Sequence, residues 1–497
     1  MKNDRTSGVL LHPTSLPGPY GAGDLGANAY LFVDWLAGAR QTCWQVLPLG
    51  EVGPGNSPYM STSAFAGNML LIDLQELAHQ GWLTAEDLIP HAEFRRDRVD
   101  YSLQSPYRLE RLRRAASRFF AAVDEALHAA YASFCQKEAA WLDDYALFMT
   151  IAEQQEWRNW NQWPEALANR DEQALSLLQA VCHTRINFWK FCQWCFARQW
   201  QQLKTYANQR GVRLIGDVPI FVAYQSADVW SDRALFELDE AGYPTVVAGV
   251  PPDYFSETGQ FWGNPLYRWD VHEQTGYAWW IKRLQHALDN FDQVRIDHFR
   301  GFAEYWEIPA NETTAVNGRW MPGPGAKLFA AFQQAFPDLP IIAEDLGEIT
   351  PDVVELRDQF DLPGMRILQF AFAEDEANHF LPHNYIANTI AYTGTHDNDT
   401  TLGWWNTASD KEKAFVQQYL GAHVVDVPGD LMNALSASVA NSVIFPMQDV
   451  LGLSGEHRMN YPGRAEGNWE WRFCWEQVQP WHTIKLADMT ERHDRYK

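Results

Sequence analysis

Residues 293–302 read QVRIDHFRGF. Val294 and Ile296 alternate as the apolar residues of a strand entering a core do, and Arg295, Asp297 and His298 stand among and directly after them. Ionisable groups at the end of a buried strand cost desolvation free energy unless something uses them, so the stretch marks a strand and a candidate site together. Seven further runs have the same form: SGVLLHP (7–13), CWQVLPLG (43–50), RLIGDVPI (213–220), PIIAEDLG (340–347), GMRILQF (364–370), TIAYTGTHD (389–397) and SVIFPMQD (442–449). Between most of them lie helical patterns such as ANAYLFVDWLAGA (27–39), YAWWIKRLQHALDNF (277–291) and PDVVELRDQF (351–360). Strands alternating with helices build a parallel sheet, and eight of them predict an α/β fold of the (β/α)8 TIM barrel type, with 1–497 as one catalytic domain.

Two spacings are too long for a simple strand–helix unit. Residues 74–212 read as a mainly helical insertion between the second and third strands. Leu109, Leu112, Ala116, Phe119, Val123 and Leu127 fall on one face there, and Phe188, Phe191 and Cys195 on another. Residues 221–276 are interrupted by Gly and Pro and dense in aromatics, which predicts a loop or lid subdomain between the third and fourth strands, an aromatic loop over the active site.

Composition narrows the partners. The 63 acidic residues outnumber the 39 basic ones, for a net charge of −24, with no Lys/Arg-rich block. A phosphate backbone or an anionic membrane would repel such a chain on average, so neither nucleic acid nor membrane is an expected partner. The opening MKNDRTSGVLLHPTS carries only the short apolar run Val9–Leu11, which predicts a cytoplasmic protein. Six cysteines, including the CQWC at 192–195 inside an apolar-periodic segment, read as core thiols. The 23 Trp are an excess; flat rings with a polar handle suit sugars, although core packing accounts for most of them one by one.

Several chemistries drop out. GAGDLG (21–26) matches a dinucleotide fingerprint, yet TSLPGPY separates it from the strand that the fingerprint must follow. No P-loop, HExxH, paired CxxC or GxSxG motif occurs. No cofactor and no metal are therefore expected. What remains is carboxylate chemistry: Asp297 follows the fourth strand, Glu344 and Asp345 close the fifth, and His396, Asp397 and Asp399 close the seventh. A barrel presents the C-terminal ends of its strands on one rim, so three separate strands deliver carboxylates to one face. Any one of these could merely cap the next helix. Together they suit cleavage of a glycosidic bond, in which one carboxylate attacks the anomeric carbon, one carboxylic acid protonates the departing oxygen, and a third group steadies the positive transition state.

The blocks RIDHFRG (295–301), AEDLG (343–347) and GTHDNDT (394–400), with NSPYMSTSAFAGN (56–68), GDVPIFV (216–222) and PPDYFSETGQFWGNPLY (251–267), resemble the amylomaltases, the 4-α-glucanotransferases of glycoside hydrolase family 77. The resemblance runs from HPTSLPGPYGAGDLG near residue 12 to EGNWEWR near 472. It implies a retaining transfer of α-1,4-glucan segments, from maltooligosaccharides or amylose to the 4-OH of a glucan or glucose. By motif it makes Asp297 the nucleophile, Glu344 the acid/base and Asp397 the transition-state stabiliser. It also implies that Arg295 and His396 contact the donor sugar, that Tyr59 stacks on it and that Asp217 hydrogen-bonds to it. Tyr254, Phe255 and Trp262 would belong to the loop over the acceptor side.

Rival readings have distinct signatures. An α-amylase-type retaining hydrolase would use the same three carboxylates with water as acceptor, releasing glucose from maltotriose without building longer chains. A non-catalytic glucan-binding scaffold would keep the aromatics without needing the carboxylates. Metal-dependent aldolase chemistry would need a His/carboxylate ligand cluster and a Lys at a strand end.

Overall fold

A computed structural model describes residues 5–252, 256–373, 378–421 and 423–496. Its strands are β1 (Thr6–Leu10), β2 (Cys43–Gln45), β3 (Arg213–Pro219), β4 (Val246–Val250), β5 (Gln260–Pro265), β6 (Gln293–Asp297), β7 (Glu304–Pro309), β8 (Arg319–Pro322), β9 (Ile341–Ala343), β10 (Gly364–Ile367), β11 (Thr389–Tyr392) and β12 (Ser442–Pro446). Eight of these close into a parallel barrel in the order β1-β12-β11-β10-β9-β6-β3-β2, each beside its neighbour in sequence among the barrel strands. These are the eight runs marked in the sequence. They stand out because barrel strands are covered on the outside by helices and filled on the inside, which makes them short and apolar. Helices Ala27–Gly38, Ala278–Asn290 and Pro351–Gln359 fall where the 3.6-residue period places them. None of the described helices is long and apolar enough to cross a membrane.

Register then sorts the rim. In β6 the side chains of Val294 and Ile296 alternate with those of Arg295 and Asp297, so the latter two share the inner face. Pairing sets Asp217 of β3 beside Arg295, and Ile296 beside Ala343 of β9. One residue further on, Asp297 and Glu344 therefore lie side by side at the C-terminal end. The next residue, Asp345, turns the other way, and its carboxylate accepts from Arg357 Nη1 (2.6 Å) and the Met365 amide (2.6 Å). It holds the wall of the barrel.

Between β2 and β3 the chain forms the helices Leu74–His79, Tyr101–Ala121, Glu125–Gln154, Glu165–Ala168 and Glu172–Gln209. The apolar stripe of Leu109, Leu112, Ala116 and Phe119 does not continue through Val123 as the periodicity suggests. Asp124 caps a new helix through the Leu127 amide, which ends the first at Ala121 and leaves Val123 97% exposed in the turn. The segment 221–276 carries β4 and β5, half of a four-stranded antiparallel sheet in the order β5-β4-β7-β8. Its other half, β7 and β8, follows β6, so the subdomain is assembled from both sides of that barrel strand.

Candidate active site

Asp297 Oδ1 accepts a hydrogen bond from Arg295 Nη2 at 2.7 Å. Arg295 Nη1 donates to both oxygens of Asp217, at 2.8 and 2.7 Å. Burial alone would weaken the charge on Arg295, but Asp217 and Asp297 outweigh it and hold the guanidinium firmly protonated. The Tyr59 hydroxyl donates to Asp217 Oδ2 at 2.7 Å and lies 2.9 Å from His396 Nε2, so one phenol links the ends of β3 and β11. His396 Nε2 is in turn 3.2 Å from Asp397 Oδ2. Burial pulls the imidazole towards neutrality, and the Asp397 carboxylate more than reverses it, leaving His396 more basic than an ordinary histidine. Burial works against the Asp397 charge too, but His396 and an amide hydrogen bond from Asn460 hold its carboxyl well below the usual range.

Glu344 is set differently. Its carboxylate forms no ion pair among the described residues; it accepts from the His298 amide at 2.7 Å and the Leu346 amide at 3.0 Å. His298 presents that amide because it takes a left-handed conformation (φ 52°) at the end of β6, an uncommon one for a residue with a side chain. Burial pushes the Glu344 carboxyl up and the charge of Asp297 adds to it, while Arg295 and the two amides oppose; the result is a pKa of about 8. The His298 ring is half-buried, desolvation pushes it down to about 4, and it meets Trp262 edge to face with ring centroids 4.9 Å apart.

The structure thus gathers Asp297, Glu344, Asp397, Arg295, His396, Tyr59, Asp217 and Trp262 on one rim. Two of these residues are held mainly by protein neighbours. The Asp217 side chain is 0% exposed, with both oxygens taken by Arg295 and one also by Tyr59. It fastens Arg295 and Tyr59 to one another across the rim. Tyr59 lies against His396, ring centroids 5.3 Å apart and nearly coplanar in orientation, with Trp469 behind both. Tyr254 and Phe255 lie outside the described residues.

Three contributors escaped sequence reasoning. Asn460 Nδ2 donates to Asp397 Oδ1 at 2.6 Å, Arg458 Nη2 donates to the Asp397 carbonyl at 2.9 Å, and Trp469 backs the Tyr59–His396 pair. They come from the segment after β12, where MNYPGR reads only as a turn. Among the described residues no three His, Cys, Asp or Glu side chains are grouped as a metal ion would need. A cavity of about 910 Å³ reaches Tyr59 and Asp217 but none of the three carboxylates; it lies behind the site wall, between β2, β3 and the surrounding helices.

Comparison with known proteins gives a concordant picture. The family model described as 4-alpha-glucanotransferase matches residues 11–477. The 4-alpha-glucanotransferase of Thermus thermophilus is 52% identical over 100% of this chain and 100% of its own. The chloroplastic/amyloplastic 4-alpha-glucanotransferase of Solanum tuberosum is 46% identical, over 95% of this chain and 82% of its own. Among solved structures, an amylomaltase from Streptococcus agalactiae in complex with acarbose superposes with a TM-score of 0.96 at 39% identity, covering 99% of this chain and 100% of that one.

Proposed function

Because the chain belongs to the 4-alpha-glucanotransferase family, glycoside hydrolase family 77, we propose a specific division of labour for its rim residues. The activity itself is that of a retaining 4-α-glucanotransferase, a transferase acting on α-1,4-glucans. Asp297 is the nucleophile: its oxygen bonds to the anomeric carbon as the glycosidic C–O bond breaks. Glu344 delivers its proton to the departing oxygen. In the second half, the 4-OH of an acceptor glucan or of glucose attacks that carbon, the ester bond to Asp297 breaks, and the acceptor's proton passes to Glu344. Asp397, charged and fixed by His396 and Asn460, stabilises the oxocarbenium-like transition state.

The opposite settings of two adjacent carboxylates carry this reading. Asp297 is held by Arg295, whereas Glu344 is partly buried, has no ion pair among the described residues and keeps its proton up to about pH 8. The same geometry explains how Glu344 reverses its role. Esterified Asp297 is neutral, so one of the influences raising Glu344 vanishes in the intermediate, and the group becomes a base when a base is needed. The hydrolase alternative has no support among the relatives. Incubation with maltotriose alone is the decisive experiment: longer maltooligosaccharides should appear together with shorter products, and an increase in reducing ends without longer chains would refute transfer.

A further inference from the structure

The loop between β2 and the helix Leu74–His79 must set the Tyr59 hydroxyl between Asp217 and His396, yet it is not itself part of a sheet. Its neck is closed by the Asn68 amide donating to the Leu49 carbonyl at 2.7 Å. Beyond the neck, a buried polar cluster grips it. Glu51, 6% exposed, accepts from the hydroxyl of Tyr145 at 2.5 Å and from that of Thr62 at 2.7 Å. Tyr145 belongs to the helix Glu125–Gln154. Gln193, on the helix Glu172–Gln209, accepts from the Gly67 amide at 2.8 Å and donates to the Gly67 carbonyl at 2.9 Å, as a strand neighbour would, and also donates to Tyr145 Oη at 3.3 Å. A Cβ at Gly67 would lie 2.1 Å from the Phe196 ring, so loop backbone and helix touch directly. On the opposite flank, Asp228 Oδ2 accepts from the Ala64 amide at 2.8 Å. A carboxylate buried without an ion pair is a costly way to fasten a helix to a barrel, because apolar contacts fasten it more cheaply.

We propose that Glu51, Tyr145 and Gln193 form a positioning device for the donor-sugar site, through which the helical insertion holds the loop in the register that lets the Tyr59 hydroxyl span Asp217 and His396. This rests on the reading of Tyr59 as part of that site. The rival account is an anchor that only keeps the insertion on the barrel. The two differ in what they do to turnover and in whether the effect runs through Tyr59.

The test uses the full chain with maltotriose as substrate, measuring kcat, KM and Tm for Tyr145→Phe, Thr62→Val, Tyr59→Phe and the pairs that include Tyr59→Phe. Tyr145→Phe and Thr62→Val should each lower kcat/KM roughly tenfold, mostly in kcat, and neither should add to the loss caused by Tyr59→Phe. Losses that multiply in the pairs, or single variants within twofold of the parent in kcat/KM whatever their Tm, overturn the proposal. If Tyr145→Phe fails to fold, Thr62→Val decides by the same criteria. A silent Tyr59→Phe removes the site reading and the proposal with it, while an impaired Tyr59→Phe beside silent cluster variants removes the proposal alone.

Discussion

At the scale of single residues, the site works by giving chemically similar groups unlike surroundings. Asp297 faces the Arg295 guanidinium, and Glu344 faces backbone amides and Asp297 itself. If Asp297 is the nucleophile, Asp297→Ala should fold and lose at least roughly a thousandfold in rate. A slow fluorinated glucosyl donor should leave its label on the peptide that contains Asp297, and a label on another carboxylate would reassign the role. For Glu344 the sign follows from the upward displacement. The acid form that protonates the leaving group fills below a pKa of about 8 and drains above it, so kcat/KM for maltotriose should fall on the alkaline side with a midpoint near that value. Glu344→Gln should cost far more on maltotriose than on a donor whose leaving group needs no proton. Equal losses on both donors would exclude Glu344 as the acid.

At the scale of elements, a transfer enzyme competes with water, which stands at about 55 M in bulk and wins unless it is excluded or an acceptor is held for attack, and the small antiparallel sheet is the element to test for that role. β5 brings Trp262 edge-on to His298, whose amide holds Glu344, so the sheet reaches the reacting groups through one ring contact. Phe261, its neighbour on β5, is 38% exposed. Trp262→Ala should therefore depress transfer more than hydrolysis, raising the number of reducing ends formed per chain redistributed from maltotriose. An unchanged ratio in a folded variant would place acceptor selection elsewhere on the rim.

At the scale of the whole molecule, a barrel stands or falls with its closing seam, here β1 against β12. Arg495, 0% exposed near the C-terminal end, donates to the carbonyls of Thr6 (3.2 Å), Ser436 (2.8 Å), Ser438 (3.0 Å) and Ala440 (2.9 Å). Arg5 reaches two of the same carbonyls, at 2.9 Å and 2.7 Å. Removing the guanidinium breaks all of these Arg495 bonds; Arg5 still covers Ser436 and Ser438, and each acceptor left unpaired costs about 1–3 kcal/mol. Arg495→Met should shorten the half-life of activity at elevated temperature severalfold while kcat at 25 °C stays within about twofold of the parent. A variant as durable as the parent would show that the strand pairing closes the barrel unaided.

What the sequence by itself determined is whatever depends on neighbours along the chain. Val294 and Ile296 bracket Arg295 by simple alternation, and that local pattern, repeated in eight runs, sufficed for the barrel and for the rim on which Asp297, Glu344 and His396–Asp397 would meet. Helix stripes were legible for the same reason, failing at Val123, where a single Asp124 cap outweighed a continuing apolar period. Only the tertiary structure decided what depends on distant partners. The four-stranded sheet pairs β4 with β7 across an intervening barrel strand, and no local signal in the Gly- and Pro-broken 221–276 announces such a pairing. Asn460 and Trp469 reach the site from more than sixty residues beyond Asp397. Asp217 is paired with Arg295 and buried because the β3–β6 register sets the two side by side. The proton on Glu344 follows the same logic: its residue type is written in AEDLG, but burial, the charge of Asp297 and two backbone amides exist only once the strands are side by side, and those long-range fields decide whether a carboxyl gives or takes a proton.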